Sequence, residues 1–127
     1  MKAADNYYEV CGEHAAFRPR GETTLAEGVK LISEAITVTR EAKIRKLLVN
    51  TSELTGFPTP TVTDRYLFVH AWAKAAQGAV RIAMVAREEM IDPQKFGVMV
   101  AANIGLTTEV FTNENGAFEW LLNTKPY

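Results

Sequence analysis

The chain has 127 residues, with 14 basic and 15 acidic side chains and a formal net charge of -1. That length is enough for one ordinary hydrophobic core without disulfides or metal ions, so we expect a single domain over residues 1–127. The nearly balanced charge argues against a nucleic-acid partner, because nucleic-acid-binding surfaces carry an excess of Lys and Arg.

The sequence lacks the marks of an exported or membrane-inserted protein. Its single cysteine, Cys11, cannot form an internal disulfide, and residues 1–5 lack the apolar core of a signal peptide. The longest apolar runs, such as residues 82–86, are far shorter than the roughly 20 residues that span a bilayer. We therefore expect a soluble, cytoplasmic protein without stable membrane insertion.

Two strands are predicted at the start of the chain, over residues 7–11 and 15–20. The gap between them contains Gly12 and suits a hairpin. Pro19 places the second strand at a sheet edge or marks its end, because proline cannot donate a hydrogen bond to a neighbouring strand.

Two helices follow in the first two thirds of the chain. The first is predicted over residues 25–42, because Thr24 and Glu27 form a capping-box pattern and apolar residues then recur at helical spacing. The second is predicted over residues 61–77. It ends before Gly78, a residue suited to the left-handed position after a last helical turn.

Apolar strands are predicted at residues 47–49 and 80–85, where the lack of alternation is typical of parallel strands covered on both faces. Asp92 and Pro93 predict the start of a third helix that ends at Gly105, with Asp92 as N-cap and Pro93 in the first helical position. A last strand and a last helix are predicted at residues 109–112 and 115–122.

The predicted order is therefore ββαβαβαβα. Strands that alternate with helices through short connections indicate an α/β fold with a mainly parallel sheet and helices packed on it. In such sheets, ligands and partners meet the loops that follow the carboxyl ends of the strands. The most informative of these loops lies in residues 46–61, where an apolar strand runs into a segment rich in Thr, Ser and Pro that opens the second helix.

Three segments carry a resemblance to a known family. Residues 16–22 read as a second strand that ends in a Gly-Glu pair, and residues 46–54 as an apolar strand that leads to an Asn and a Ser. Residues 110–121 are similar to a last strand and final helix. Together they resemble the STAS domain superfamily, and within it the SpoIIAA-like group of anti-sigma-factor antagonists, which shows kinship to lipid-binding Sec14-type domains. The resemblance covers nearly the whole chain and implies a STAS-like fold with a non-enzymatic regulatory role.

One motif departs from that pattern. The antagonists carry Asp-Ser-Ser-Gly at the start of the second helix, where a serine is phosphorylated, but this chain has Pro58-Thr59-Pro60-Thr61. Thr59 and Thr61 are candidate phosphoacceptors, because a helix N-terminus favours negative charge. We favour the alternative that Thr61 is an N-cap and that the prolines stiffen the loop.

The second helix has a wide apolar arc. Two aromatic residues, Phe68 and Trp72, stand one turn apart and beside the stripe that we expect to face the sheet. They indicate a contact site for a second chain or for an apolar ligand. Alternatively, a neighbouring helix or the C-terminal tail covers them. The stripe expected to face the sheet consists of Val62, Tyr66, Val69, Ala73 and Ala76.

No spacing in the chain fixes a catalytic, cofactor or metal site. The two histidines and the cysteine are scattered, and the loop at Gly56 lacks the lysine and glycine spacing of a phosphate-binding loop. An enzyme is the least favoured interpretation, because no nucleophile and base stand at a spacing that fixes their meeting. Its candidate residues would be Ser52, Glu53, Glu88 and Asp92. We expect no catalytic residue, no cofactor and no metal.

The sequence therefore leads to two hypotheses about function. The leading hypothesis is a regulatory domain that binds a protein partner or forms a homodimer. The alternative is a carrier or sensor of a small apolar or lipid-like ligand, in a pocket between the second and third helices near Phe68, Met99 and Asn103. The predicted partner or ligand face consists of Thr55, Phe57, Thr59, Thr61, Arg65, Phe68 and Trp72.

Overall fold

A computed structural model describes residues 7–123 of the chain. Of the helices in that range, none combines the length and the hydropathy needed to cross a bilayer. The strands are β1 (Tyr8–Cys11), β2 (His14–Phe17), β3 (Arg20–Glu22), β4 (Lys46–Asn50), β5 (Glu53–Thr55), β6 (Arg81–Val85) and β7 (Thr108–Phe111). The helices are α1 (Leu25–Glu41), α2 (Val62–Ala76), α3 (Phe96–Asn103) and α4 (Glu114–Asn123), with a short 3₁₀ turn at Glu88–Met90.

Five strands form the main sheet, in the order β1-β2-β4-β6-β7. The pair β1 and β2 is antiparallel, as the predicted hairpin requires, and the remaining neighbours are parallel. The apolar strands β4 and β6 lie inside the sheet, where both of their faces are covered. The predicted α/β class, with a mainly parallel sheet and helices packed on it, is confirmed.

The helices divide between the two faces of the sheet. On one face, α1, α2 and α3 share an apolar cluster with Phe17, Leu47 and Ile82. On the other face, α4 packs on a smaller cluster that includes Ala83 and Leu121. Because successive strand residues point to opposite faces, β6 supplies Ile82 and Met84 to the first cluster and Ala83 and Val85 to the second.

A second, two-stranded sheet pairs β3 with β5 in parallel and was not predicted. Each strand has only three residues and is largely exposed, so neither carries an apolar pattern. Gly56 follows β5 with φ of 101°, and a Cβ at this position would stand 2.7 Å from the carbonyl oxygen of Thr23. Gly56 therefore lets the loop pass against the start of α1, which explains this glycine without any phosphate site.

The start of α3 differs from the prediction. The helix begins at Phe96 and not at Pro93, because Asp92 to Lys95 form a turn closed by a hydrogen bond from Lys95 N to Asp92 O (2.9 Å). Pro93 takes the second position of that turn, which proline also favours. The Asp92 carboxylate still accepts a hydrogen bond from a backbone amide of the helix, that of Phe96 (2.8 Å).

An ionic network connects α4 to the sheet. Arg18 donates to Glu114 (Nε to Oε2, 2.8 Å) and to Glu9 (2.6 Å), and Asn50 Nδ2 donates to Glu114 Oε2 (2.8 Å). Asn50 in turn accepts from Ser52 Oγ (2.6 Å). The hydrogen bond from Arg18 holds the pKa of the Glu114 carboxyl below its usual value, and partial burial opposes this effect.

Removal of the Glu114 charge tests this network. We expect Glu114→Gln to lower the free energy of unfolding at pH 7 by about 1 kcal/mol, a modest value because the pair is partly exposed. Because the folded-state pKa is lowered, the contribution is present above the unfolded-state pKa of about 4.3 and is lost as pH falls through the folded-state value. Urea denaturation from pH 7 to about pH 3 measures the difference.

Glu119→Gln is the control, because Glu119 is an exposed residue of the same helix. The control should follow the native protein at every pH. A difference between Glu114→Gln and the native protein that stays constant down to pH 3 would contradict the assigned role of this carboxylate.

Candidate functional site

A cavity of about 140 Å³ lies at the carboxyl-terminal half of the sheet, on the face that carries three helices. It lies beneath α2, whose closest neighbours among the helices are α1 and α3. Met84, in the inner strand β6, lines the cavity and is only partly buried, although its neighbours in the strand are buried. The cavity therefore lies where the strands of an α/β sheet usually present a ligand site.

Most of the cavity wall is apolar, and two glycines contribute to it. Gly28 of α1 and Gly97 of α3 have ordinary space for a Cβ, since the nearest atoms would lie 3.6 and 3.5 Å away. Neither glycine is thus required by tight packing, although each costs its helix roughly 0.5–1 kcal/mol relative to alanine. Both line the cavity. The apolar wall otherwise consists of Leu25, Val29, Ile32, Leu54, Phe57, Pro60, Phe68, Val69, Trp72, Met84, Ala86, Met90, Ile91, Val98 and Val110.

The covered face of α2 differs from the predicted stripe. Val62 and Tyr66 were expected to face the sheet, but their side chains are 59% and 49% exposed. The buried residues are Val69, Trp72 and Ala76, so the covered face is rotated towards the aromatic pair. The prediction was wrong because the apolar arc of α2 is wider than the covered face, and periodicity does not say which part of such an arc is covered.

The two aromatic residues of α2 form a wall of the cavity. Trp72 is only 7% exposed and donates a hydrogen bond from Nε1 to Val29 O of α1 (3.2 Å). The Phe68 ring stacks on the Trp72 ring with centroids 4.5 Å apart, and Phe68 is half-buried. The structure thus places this pair inside the helix layer, where a ligand in the cavity would contact it.

Two loops close one end of the cavity, the loop after β5 and the loop after β6. Side-chain to backbone hydrogen bonds connect the second loop to β5, to the loop that follows β5 and to α2. They run from Arg87 Nη2 to Leu54 O (3.1 Å), from Thr59 Oγ1 to Glu89 O (3.2 Å) and from Arg65 Nη2 to Met90 O (3.0 Å). Arg65 and Thr59 of the predicted face therefore hold this end together.

Charged side chains gather at the same end. Lys95 pairs with Glu109 (3.0 Å), and Arg87 Nη1 lies 3.6 Å from Glu89 Oε2. Arg87 Nε is buried and has no hydrogen-bond partner among residues 7–123. The cavity is thus apolar inside with a permanent cation at its edge.

The remaining predicted residues have distinct places. Thr61 Oγ1 accepts from Asp64 N (3.1 Å), and the Asp64 carboxylate accepts from Thr61 N (2.9 Å), which is the arrangement of a capping box. Phe57 lines the cavity, whereas Thr55 is exposed. The two α3 residues named for the ligand hypothesis, Met99 and Asn103, are exposed and do not line the cavity.

Several cavity residues were missed from the sequence. Arg87 was not among the predicted site residues, and Met84 was predicted only as part of the apolar strand at residues 80–85. The paired glycines in α1 and α3 were a usable signal, because glycine is unfavourable inside a helix unless something needs the space. Within residues 7–123, no group of three His, Cys, Asp or Glu side chains is arranged to hold a metal ion.

Comparison with solved structures shows the class of fold. The chain is similar to the anti-sigma factor antagonist SpoIIAA in its unphosphorylated form, with 16% sequence identity, a TM-score of 0.52, and 92% of this chain and 97% of that chain covered. It is also similar to an uncharacterized DUF3478-family protein with a SpoIIAA-like fold from Shewanella loihica PV-4, with 18% identity, a TM-score of 0.51, and 90% and 89% covered. No protein-family model and no curated protein matches the sequence.

The chain therefore has the SpoIIAA-like fold, and the resemblance stated from the sequence is confirmed at that level. Both identities are low, so these likenesses describe the backbone arrangement. The cavity residues are assigned from this chain alone.

Trp72 and Leu67 provide a test of which side of α2 is buried. We expect Trp72→Ala to lower the free energy of unfolding by about 3–5 kcal/mol, because it removes a large buried side chain and leaves a void. Leu67→Ala, on the exposed side of the same helix, should change it by less than about 0.5 kcal/mol. Equal effects of the two substitutions in urea denaturation would contradict the orientation of α2.

Proposed function

We propose that this protein is a non-enzymatic binding domain that takes a small apolar molecule into the cavity beneath α2. The observation that carries the proposal is the cavity itself, which is walled by apolar side chains next to the carboxyl ends of β4 and β6. Such a pocket, with few polar groups at one end, is the usual form of a small-molecule site. This was the alternative hypothesis from the sequence. It becomes the leading one because Phe68 and Trp72 line the cavity.

The size of the cavity limits the ligand. An apolar cavity of about 150 Å³ in another protein stays dry and binds benzene. The 140 Å³ found here therefore suits a compact body the size of a single aromatic ring. A long acyl chain would need more room than this conformation offers.

The fold supports a binding role for the protein and not a catalytic one. A SpoIIAA-like fold is shared with a protein named as an anti-sigma factor antagonist, which by its name acts on another protein. We assign no catalytic residue, because the charged groups around the cavity bond to loop backbone or to one another. Ligand occupancy could then be signalled through the loops that these bonds hold.

Toluene provides a direct test, read through the methionine methyl groups. Met84 and Met90 line the cavity, whereas Met99 is 61% exposed and lies outside it. In ¹³C-methyl NMR titrations, we expect toluene to shift the Met84 and Met90 resonances with saturation and to leave Met99 unchanged. Absence of a saturable shift at Met84 would overturn the proposed site.

A matched pair of variants locates the binding. Val98→Phe adds a ring to the cavity wall, and Met99→Phe adds one to the exposed side of the same helix. We expect the first to weaken toluene binding at least tenfold and the second to change it less than twofold. Equal affinities in two folded variants would count against a site beneath α2.

A second candidate function is self-association through the outer side of α2. It is favoured by three large apolar side chains exposed on the first half of this helix, Val62, Tyr66 and Leu67. They adjoin the loop that contains Thr55, and both Thr59 and Thr61 are exposed at its end. Within this candidate, Thr59 and Thr61 stay predicted phosphoacceptors, since a phosphate there would lie at a helix N-terminus.

Light scattering tests the second candidate. If a second copy covers this surface, the native chain should have twice its monomer mass, and Leu67→Asp should halve the measured mass. Leu122→Asp is the control, because Leu122 is also an exposed leucine but lies on α4. A native monomer across the concentration range would remove this candidate and leave the ligand proposal untouched.

A further inference from the structure

We propose that the ligand is a small carboxylic acid, with its compact apolar body beneath α2 and its carboxylate on the guanidinium of Arg87. This inference rests on the ligand function proposed above and specifies its chemical class. The cavity lining and the hydrogen-bonding state of Arg87 provide the evidence.

Arg87 lines the cavity, and its Nε donor has no acceptor among residues 7–123. Its Nη2 group is used by Leu54 O, and its Nη1 group lies 3.6 Å from Glu89, beyond hydrogen-bond distance. Its Nε atom is the one buried side-chain polar atom of the described residues that has no hydrogen-bond partner. A buried donor without an acceptor costs about 1–3 kcal/mol, and more when it is charged, so an acceptor supplied by a ligand would be favoured here.

The kind of acceptor follows from the guanidinium group. Arg87 carries a permanent charge, and adjacent N–H groups along one edge of a guanidinium match the two oxygens of a carboxylate. Hydrogen bonds between such ions are roughly twice as strong as those between neutral groups. A neutral hydroxyl or carbonyl could satisfy Nε, but a carboxylate would form the stronger, charge-assisted hydrogen bond, and the existing ion pair of Arg87 with Glu89 is long at 3.6 Å and partly exposed.

The other charged groups around the cavity are already engaged. Glu109 accepts from Lys95 Nζ and from the backbone amide of Val110, both at 3.0 Å. Asp92 accepts from Phe96 N (2.8 Å). Glu109 and Asp92 are thus bonded to groups other than Arg87. Glu89 is the acid nearest to Arg87, and its side chain is 63% exposed, so solvent weakens its competition with a ligand carboxylate.

The apolar wall and the cation together define the ligand. One aromatic ring fills a volume near 140 Å³, and a carboxylate one or two bonds away could reach the edge where Arg87 lies. A ring with a short acidic arm meets both requirements. A simple anion such as acetate lacks the apolar body, and a neutral hydrocarbon lacks the acceptor.

Three probes distinguish these contributions by calorimetry and by the Met84 methyl resonance. Phenylacetate carries both features, phenylacetamide has the same shape without charge, and acetate has charge without the ring. We expect phenylacetate to bind the native protein at least tenfold more tightly than phenylacetamide, and acetate to show no saturable binding. The Met84 shift confirms that the probe is in the cavity.

Substitution of the arginine assigns the effect to one residue. Arg87→Met keeps an apolar side chain of similar length and removes the guanidinium, so it should weaken phenylacetate binding at least tenfold and phenylacetamide binding less than threefold. Arg87→Lys keeps the charge but not the paired donors and should fall between the native protein and Arg87→Met. Arg20→Met is the control at an exposed arginine of β3 and should match the native protein.

The outcomes separate this inference from the proposed function. If toluene binds but phenylacetate and phenylacetamide bind equally, the carboxylate assignment is wrong and the apolar site stands. If phenylacetate preference survives in Arg87→Met, another cation holds the carboxylate and the assignment to Arg87 is wrong. If none of the ring compounds binds the native protein, both the proposed function and this inference fail. Retained toluene binding in Arg87→Met shows that the variant is folded.

Discussion

The contact between α2 and α1 through Trp72 determines much of the architecture on the helical face. The Trp72 ring is buried at this contact, and its indole nitrogen is bonded to a carbonyl of α1. Phe68 stacks on the same ring. With α2 held against its neighbouring helices, a cavity remains on this face of the sheet, and Met84 contributes to its lining.

The loops after β5 and β6 close one end of the cavity. The segment after β6 is fixed to α2 and to the loop after β5 by side chains that bond to backbone carbonyls. These bonds are few and partly exposed, which is typical of regions that open locally at low cost in free energy. A ligand could therefore enter through this end without disturbing the sheet, and a bound ligand would add contacts to the same loops. Arg87 belongs both to the loop connections and to the cavity edge, so a ligand bound as proposed would couple occupancy to loop conformation there.

Much of the fold could be predicted from the sequence, because its main elements are determined by local patterns. The apolar runs of β4 and β6, and the capping signals at Thr24 and Thr61, act within a few residues and were interpreted correctly. The pair β3 and β5 could not be predicted, because such short exposed strands depend on the approach of Gly56 to Thr23.

The residues of the candidate site were harder to predict from the sequence than the fold. Phe68 and Trp72 were recognised as unusual, but the covered side of α2 depends on the positions of α1 and α3, which no local pattern records. Arg87 is held by a hydrogen bond to the carbonyl of Leu54, which lies 33 positions earlier in the chain. No local sequence pattern predicts a contact over that separation. Open α/β sheets in general bind ligands near the carboxyl ends of their strands. The identity of the residues that bind is a property of this chain.

Xenon binding in a crystal is the measurement that tests the cavity most directly, because xenon occupies apolar cavities of this size without needing a polar partner. In a crystal of the protein pressurised with xenon, we predict a xenon site in van der Waals contact with Phe68, Met84 and Val98. Absence of xenon there, with α2 side chains packed directly onto Met84, would contradict the central claim that α2 leaves a ligand cavity above the sheet.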